Sequence, residues 1–158
     1  MMALNAKRLW KAMLPAMLMA GAAFAQEDAL SIDEIHWPQI DSYCTFLKKG
    51  QDFHFDDPDT WRFVAFTNLP REAEADPLER VFMRINGDLL ELGLETLEKS
   101  KGGTEIRLYK SHDVDPYAVT FEIEEGEQGS ESTNYSGTIR VQRGEQEASV
   151  NFEGDCGV

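Results

Sequence analysis

From residue 80 onward, apolar and polar side chains change places at nearly every step. Val81, Met83 and Ile85 alternate with Arg80, Phe82 and Arg84, and Val119, Phe121 and Ile123 with Thr120, Glu122 and Glu124. A period of two sends successive side chains to opposite faces of a strand, so each segment has one dry face and one wet face. Asn86-Gly87 follows the first run. That pair is a strong hairpin signal, because a type I′ turn needs positive φ at both central residues. The return strand sets Leu90, Leu92 and Leu94 against Glu91 and Glu95. After a turn at residues 99–103, Ile106 and Leu108 are expected to continue the apolar face. Residues 113–116 turn again, and residues 125–133 form an expected polar loop. In the last hairpin Ile139 and Val141 face Val150 and Phe152 across Arg143-Gly144-Glu145.

The first half is less regular. A strand is expected at residues 45–48, with Cys44 at its start, and another at residues 61–67. Phe53 and Phe55 suit a short strand, and Asp57-Pro58-Asp59 suits a turn. Residues 68–77, rich in Pro, Ala and Glu, form an expected loop. Ser31 and Glu34 have capping-box spacing for one helical turn, which Trp37-Pro38 would end. About eight short strands separated by turn signals predict an all-β fold, a single antiparallel sandwich or small barrel with a short N-terminal helical turn.

The N-terminus departs from this pattern. Lys7, Arg8 and Lys11 precede a short apolar core, and Ala23-Phe24-Ala25 is an A-x-A site with cleavage expected before Gln26. The apolar run is shorter than the roughly 20 residues of a membrane span, and Pro15 interrupts it. The expected organisation is a cleaved signal peptide at residues 1–25, a lead-in at 26–40 and one antiparallel β domain at 41–158. The mature chain is expected in the periplasm or secreted, without membrane insertion.

Charge narrows the partners. The chain carries 29 acidic against 15 basic residues, a formal net charge of −14. The leader holds three of the bases and no acid, so the mature chain is more acidic still. Such a chain repels nucleic acid, whose phosphates need a basic face, and anionic lipid surfaces. It suits a cationic protein partner, or serves solubility alone. The densest acid run is Glu122, Glu124, Glu125, Glu127 and Glu131, with no base among them. Like charges so close repel, so the segment is expected to be extended and solvated. It is the candidate docking surface, because complementary charge speeds encounter with a basic protein.

Candidate chemistry is sparse. Cys44 and Cys156 are the two cysteines. In an oxidising compartment they allow one intramolecular bond, and without a C-x-x-C motif it serves as a staple. His54 lies near Asp56 and Asp57, and His112 near Asp113 and Asp115. Neither group has the ligand spacing of a structural zinc site or an EF-hand, so no metal or other cofactor is assigned. No nucleophile elbow or zinc-protease helix motif is present, and no catalytic residue is assigned. Carboxylate pairs of the glycosidase kind remain open among 29 acids.

The size, leader, acidity and near-terminal cysteines resemble, in architecture, the small periplasmic β-barrel inhibitors of lysozyme. Those families carry a Ser-Gly-x-x-Tyr-type loop. Here Tyr135-Ser136-Gly137 is followed by Thr138-Ile139-Arg140, without the tyrosine, and no inhibitory residue is carried over. The expected function is a secreted, non-catalytic acidic binding module, such as an inhibitor or immunity factor against a basic protein. The alternatives are a divalent-metal or small-ligand binder with its site in a barrel mouth, and a hydrolase using a carboxylate pair.

Overall fold

The computed structural model describes residues 29–36, 42–68 and 79–157. Alternating sequence becomes strand nearly everywhere. In chain order the strands are β1 (Ile32–Asp33), β2 (Ile35–His36), β3 (Cys44–Lys48), β4 (Arg62–Thr67), β5 (Arg80–Ile85), β6 (Asp88–Lys99), β7 (Glu105–Lys110), β8 (Ala118–Gln128), β9 (Ser132–Arg143) and β10 (Gln146–Gly157). Hydrogen bonding runs from β5 through β10 in sequence, then to β3 and β4, and returns from β4 to β5 through Phe66↔Phe82 and Thr67↔Val81. The result is a closed, eight-strand antiparallel barrel. Closure removes the exposed edges that an open sheet would leave.

The β4–β5 seam is short, and the N-terminal segment extends both strands' pairing beyond it. β1 pairs with β5 through Ile32↔Ile85 and Asp33↔Arg84. β2 pairs with β4 through Ile35↔Phe63 and His36↔Arg62. Residues 31–34 are therefore extended where the capping-box spacing implied a helical turn. Asn86 explains the difference, because its Oδ1 accepts from the Ser31 N–H at 2.8 Å, and the Asp33 carboxylate accepts from the Gly87 N–H at 2.6 Å. These contacts with the β5–β6 turn outweigh local helix preference. That turn has positive φ at Asn86 (51°) and Gly87 (84°), as a type I′ hairpin requires. Among the described residues the helical turn that forms is the 3-10 turn Pro58–Thr60, capped by Asp57, whose side chain accepts from the Asp59 N–H. The leader, Trp37, Pro38 and residues 69–78 lie outside the described residues.

Side chains, not a lumen, occupy the barrel axis. Tyr109, Phe46, Phe121, Phe152, Met83, Ile85 and Leu92 are all less than 2 % exposed. Phe46, Phe121 and Phe152 meet with ring centroids 4.8–5.8 Å apart. Cys44 and Cys156 are directly opposed on β3 and β10, their Cα atoms are 4.0 Å apart, and they form a disulfide across a sequence separation of 112. Close opposition of this kind marks the non-hydrogen-bonded pairs of an antiparallel ladder.

Three local expectations change. Residues 125–133 are mostly strand, because β8 runs to Gln128 and β9 begins at Ser132, with the Gly129 N–H bonded to Ser132 O. Phe53 and Phe55 lie on a loop, not a strand. On β7 the inward face belongs to Glu105, Arg107 and Tyr109, while Ile106 is exposed and Leu108 half-buried. Tyr109 stands opposite Val119, which fixes that parity, and a bulge between Leu94 and Thr96 shifts β6 against β7. The buried tyrosine ring wins the interior over two aliphatic side chains.

Candidate functional site

The inward stripe of β7 ends in a polar network at one mouth of the barrel. The Tyr109 hydroxyl donates to Glu79 Oε1 at 2.6 Å, and Arg107 Nη1 donates to the same oxygen at 2.7 Å. Arg107 Nε bonds Glu105, and Lys99 Nζ lies 3.1 Å from Glu105. The Glu79, Glu105 and Arg107 side chains are only 14–21 % exposed. Burial works against ionising Glu105, but hydrogen bonds from Arg107 and Lys99 outweigh it and hold the carboxyl below its ordinary range. Burial and the neighbouring Glu79 charge push the Tyr109 phenol far up. Burial also opposes the charge on Arg107, but its tyrosine and carboxylate partners dominate and raise its proton affinity. The cluster neutralises itself. A general acid in a hydrolase needs a raised carboxyl pKa, and Glu105 is shifted the opposite way. Sequence reasoning missed this network. The available signal was the spacing of Glu105, Arg107 and Tyr109, which places all three on one face of a strand.

The acid run is exposed throughout, and Glu125 departs from Glu122 and Glu124 in the face it occupies. All five carboxylates, Glu122, Glu124, Glu125, Glu127 and Glu131, belong to exposed residues. Glu122 and Glu124 alternate with buried Phe121 and Ile123, so they point away from the barrel. Glu125 shares the parity of Phe121 and Ile123 and stands opposite Tyr135, which puts it at the rim of the mouth. Burial and the Glu125 charge raise the Tyr135 phenol. Glu127 follows the bulge in β8, and Glu131 lies in the turn to β9. Glu122 has a base within reach, Arg140 at 3.8 Å, which is also 3.5 Å from Glu147.

Beside the acidic hairpin lies a groove of about 450 Å³ on the outer face, bordered by Leu47, Phe53, Gly126, Ser136, Glu153 and Asp155. Gly154 forms part of it, and a Cβ there would meet Thr45 O at 2.0 Å, so only glycine lets β3 and β10 approach this closely. One wall is the loop of residues 51–61. Its Phe53 and Phe55 rings lie 6.4 and 6.0 Å from the Trp61 ring. The loop is tied down by hydrogen bonds: Trp61 Nε1 donates to His54 O at 3.0 Å, Thr60 Oγ1 accepts from the His54 N–H at 3.0 Å, and Gln51 Nε2 donates to Arg62 O at 2.9 Å. Asp52, Asp56, Asp57 and Asp59 are all exposed around it.

His54 and His112 do not gather their neighbouring aspartates, and among the described residues no three His, Cys, Asp or Glu side chains are placed to hold a metal ion. No described helix is long and apolar enough to cross a membrane. No family model, curated protein or solved structure matches this chain.

Proposed function

We propose that the protein is a secreted, non-catalytic binding module that offers an acidic outer surface to a basic partner protein, as an inhibitor or immunity factor in the periplasm or outside the cell. One observation carries this reading. The middle of the barrel is filled by Phe46, Phe121, Phe152 and Tyr109, while Glu122, Glu124, Glu127 and Glu131 stand in water and offer a partner a dense negative charge. The A-x-A leader and the Cys44–Cys156 bond support an oxidising compartment. A field of carboxylates accelerates encounter with a cation and loses force as the Debye length shrinks to about 8 Å at physiological salt.

The test uses residues 26–158 in the oxidised form against a panel of purified basic secreted hydrolases, with an acidic hydrolase as control. The expected result is association with a basic member whose rate falls as salt is raised. The combined variant Glu122→Lys, Glu124→Lys, Glu127→Lys should slow that association while leaving Tm nearly unchanged. Absence of salt-dependent binding across the panel would overturn the reading.

A further inference from the structure

We infer that the loop of residues 51–61 is an aromatic platform that stacks arginine side chains of the partner, and so supplies the selectivity of the acidic surface. The inference rests on the binding function proposed above. It begins with Phe55, which the fold leaves in water, and Phe53, which keeps one side exposed while packing on Trp61 and Phe63. Phe55 is 83 % exposed and Phe53 is 39 % exposed. Burying a phenylalanine is favourable, so a loop that holds Phe55 outward forgoes stability. The hydrogen bonds of Gln51, His54, Thr60 and Trp61 fix the backbone that presents them. A site fixed before binding loses little freedom on binding.

Charge decides what such a platform accepts. Residues 50–61 contain no lysine or arginine but four exposed aspartates, Asp52, Asp56, Asp57 and Asp59, against Lys48, Lys49 and Arg62 at the loop's two ends. Carboxylates repel phosphate and anionic lipid. They attract a cation, and the aromatic face attracts the same cation through its quadrupole. Arginine satisfies both at once, because its planar guanidinium stacks on a ring while its edge bonds a carboxylate; lysine is a more strongly hydrated point charge. The molecule already holds one arginine this way. The Arg143 guanidinium lies 4.7 Å from the Tyr117 ring centroid, and its Nε donates to Asp115 at 3.0 Å. Phe53 also borders the outer groove with Gly126 and Ser136, which joins the platform to the acidic hairpin.

The experiment titrates the oxidised chain of residues 26–158 with two synthetic peptides of equal charge, one alternating glycine with arginine and the other glycine with lysine. Amide chemical shifts provide the readout, with tryptophan fluorescence, to which Trp37 and Trp61 both contribute, as a second measure. A neutral oligosaccharide is titrated in parallel. Arginine stacking predicts tighter binding of the arginine peptide by about two- to fivefold per stacked ring. The largest shifts should fall in residues 51–61. Phe53→Ala with Phe55→Ala should bring the arginine peptide down to lysine-peptide affinity without changing the salt dependence. Phe55→Ala alone, which leaves the loop base untouched, should remove part of the preference. Equal affinity for the two peptides, or an unchanged preference in the aromatic variants, overturns the platform while leaving the acidic binding function standing. Loop shifts caused by the oligosaccharide and not by the arginine peptide overturn it in favour of a sugar site. If neither peptide binds and Glu122→Lys, Glu124→Lys, Glu127→Lys has no effect on any basic protein, both readings fall.

Discussion

Phe46, Phe121 and Phe152 meet inside the barrel at 4.8–5.8 Å, whereas Phe53, Phe55 and Trp61 meet outside it at 6.0–6.4 Å. The ring spacings are close; the surroundings are not. The inner rings sit on alternating strands whose register fixes them, and they belong to one buried cluster with Cys44, Cys156 and other apolar side chains. The outer rings sit on a loop held by hydrogen bonds to its own backbone, where Phe53 and Trp61 lean on the second buried cluster around Phe63 and Phe55 stands in water. Ring proximity alone therefore does not make a core. Ordered strands on all sides make one, and water with carboxylates makes a platform.

The largest test of that contrast is Phe121→Ala, which removes a fully buried ring. It should cost about 3–5 kcal/mol in urea unfolding, the usual range for a phenylalanine deleted from a packed interior. Next comes the covalent tie beside the same rings. Replacing Cys44 and Cys156 together with alanine should lower stability by about 2–5 kcal/mol and leave no bond to reduce.

A smaller effect belongs to the polar end of the inward face. Glu105 is held below its ordinary carboxyl range in the folded protein, so its ionisation adds stability above the unfolded-state value, about 4.3 for glutamate. That contribution is lost as pH falls through the folded value. The stability difference between the natural chain and Glu105→Gln should therefore be largest near neutral pH and shrink below roughly pH 4.3, measured by thermal unfolding across the range. The smallest change is expected from Phe55→Ala, within about 0.5 kcal/mol of the natural chain, because its ring is 83 % exposed and meets only the edge of the loop at Trp61. A loss comparable to that of Phe121→Ala would show that the outer cluster is core after all.

Much of the barrel was legible in the sequence because burial on one face of a strand writes a period of two. Val81, Met83 and Ile85, the Asn86-Gly87 turn, and Val119, Phe121 and Ile123 all followed that rule. Closure was not legible, since it depends on the two pairs Phe66↔Phe82 and Thr67↔Val81, which join strands separated by a long connection. Residues 125–128 escaped because a hairpin end that is wet on both faces loses its alternation. Ile106 and Leu108 misled for the opposite reason. Their pattern is genuine, but the bulge at Leu94/Thr96 and the Tyr109 ring select the other face. Of the candidate site, the carboxylates were visible and their division was not. Phe53 and Phe55 have the period of a strand but no partner strand, and side chain-to-backbone bonds such as Trp61 to His54 leave no periodic trace.

The Cys44–Cys156 bond has a mechanical consequence. It encloses all eight barrel strands in one covalent ring, with both chain ends outside it. A force applied to the two ends first loads the short β1–β5 and β2–β4 pairings, then passes through the sulfur–sulfur link and bypasses the ladders between the eight barrel strands. A stretch between the two ends can straighten only the segments before Cys44 and after Cys156, until a reductant opens the ring. A cut within the ring leaves both fragments joined, as one band without reductant and two with it.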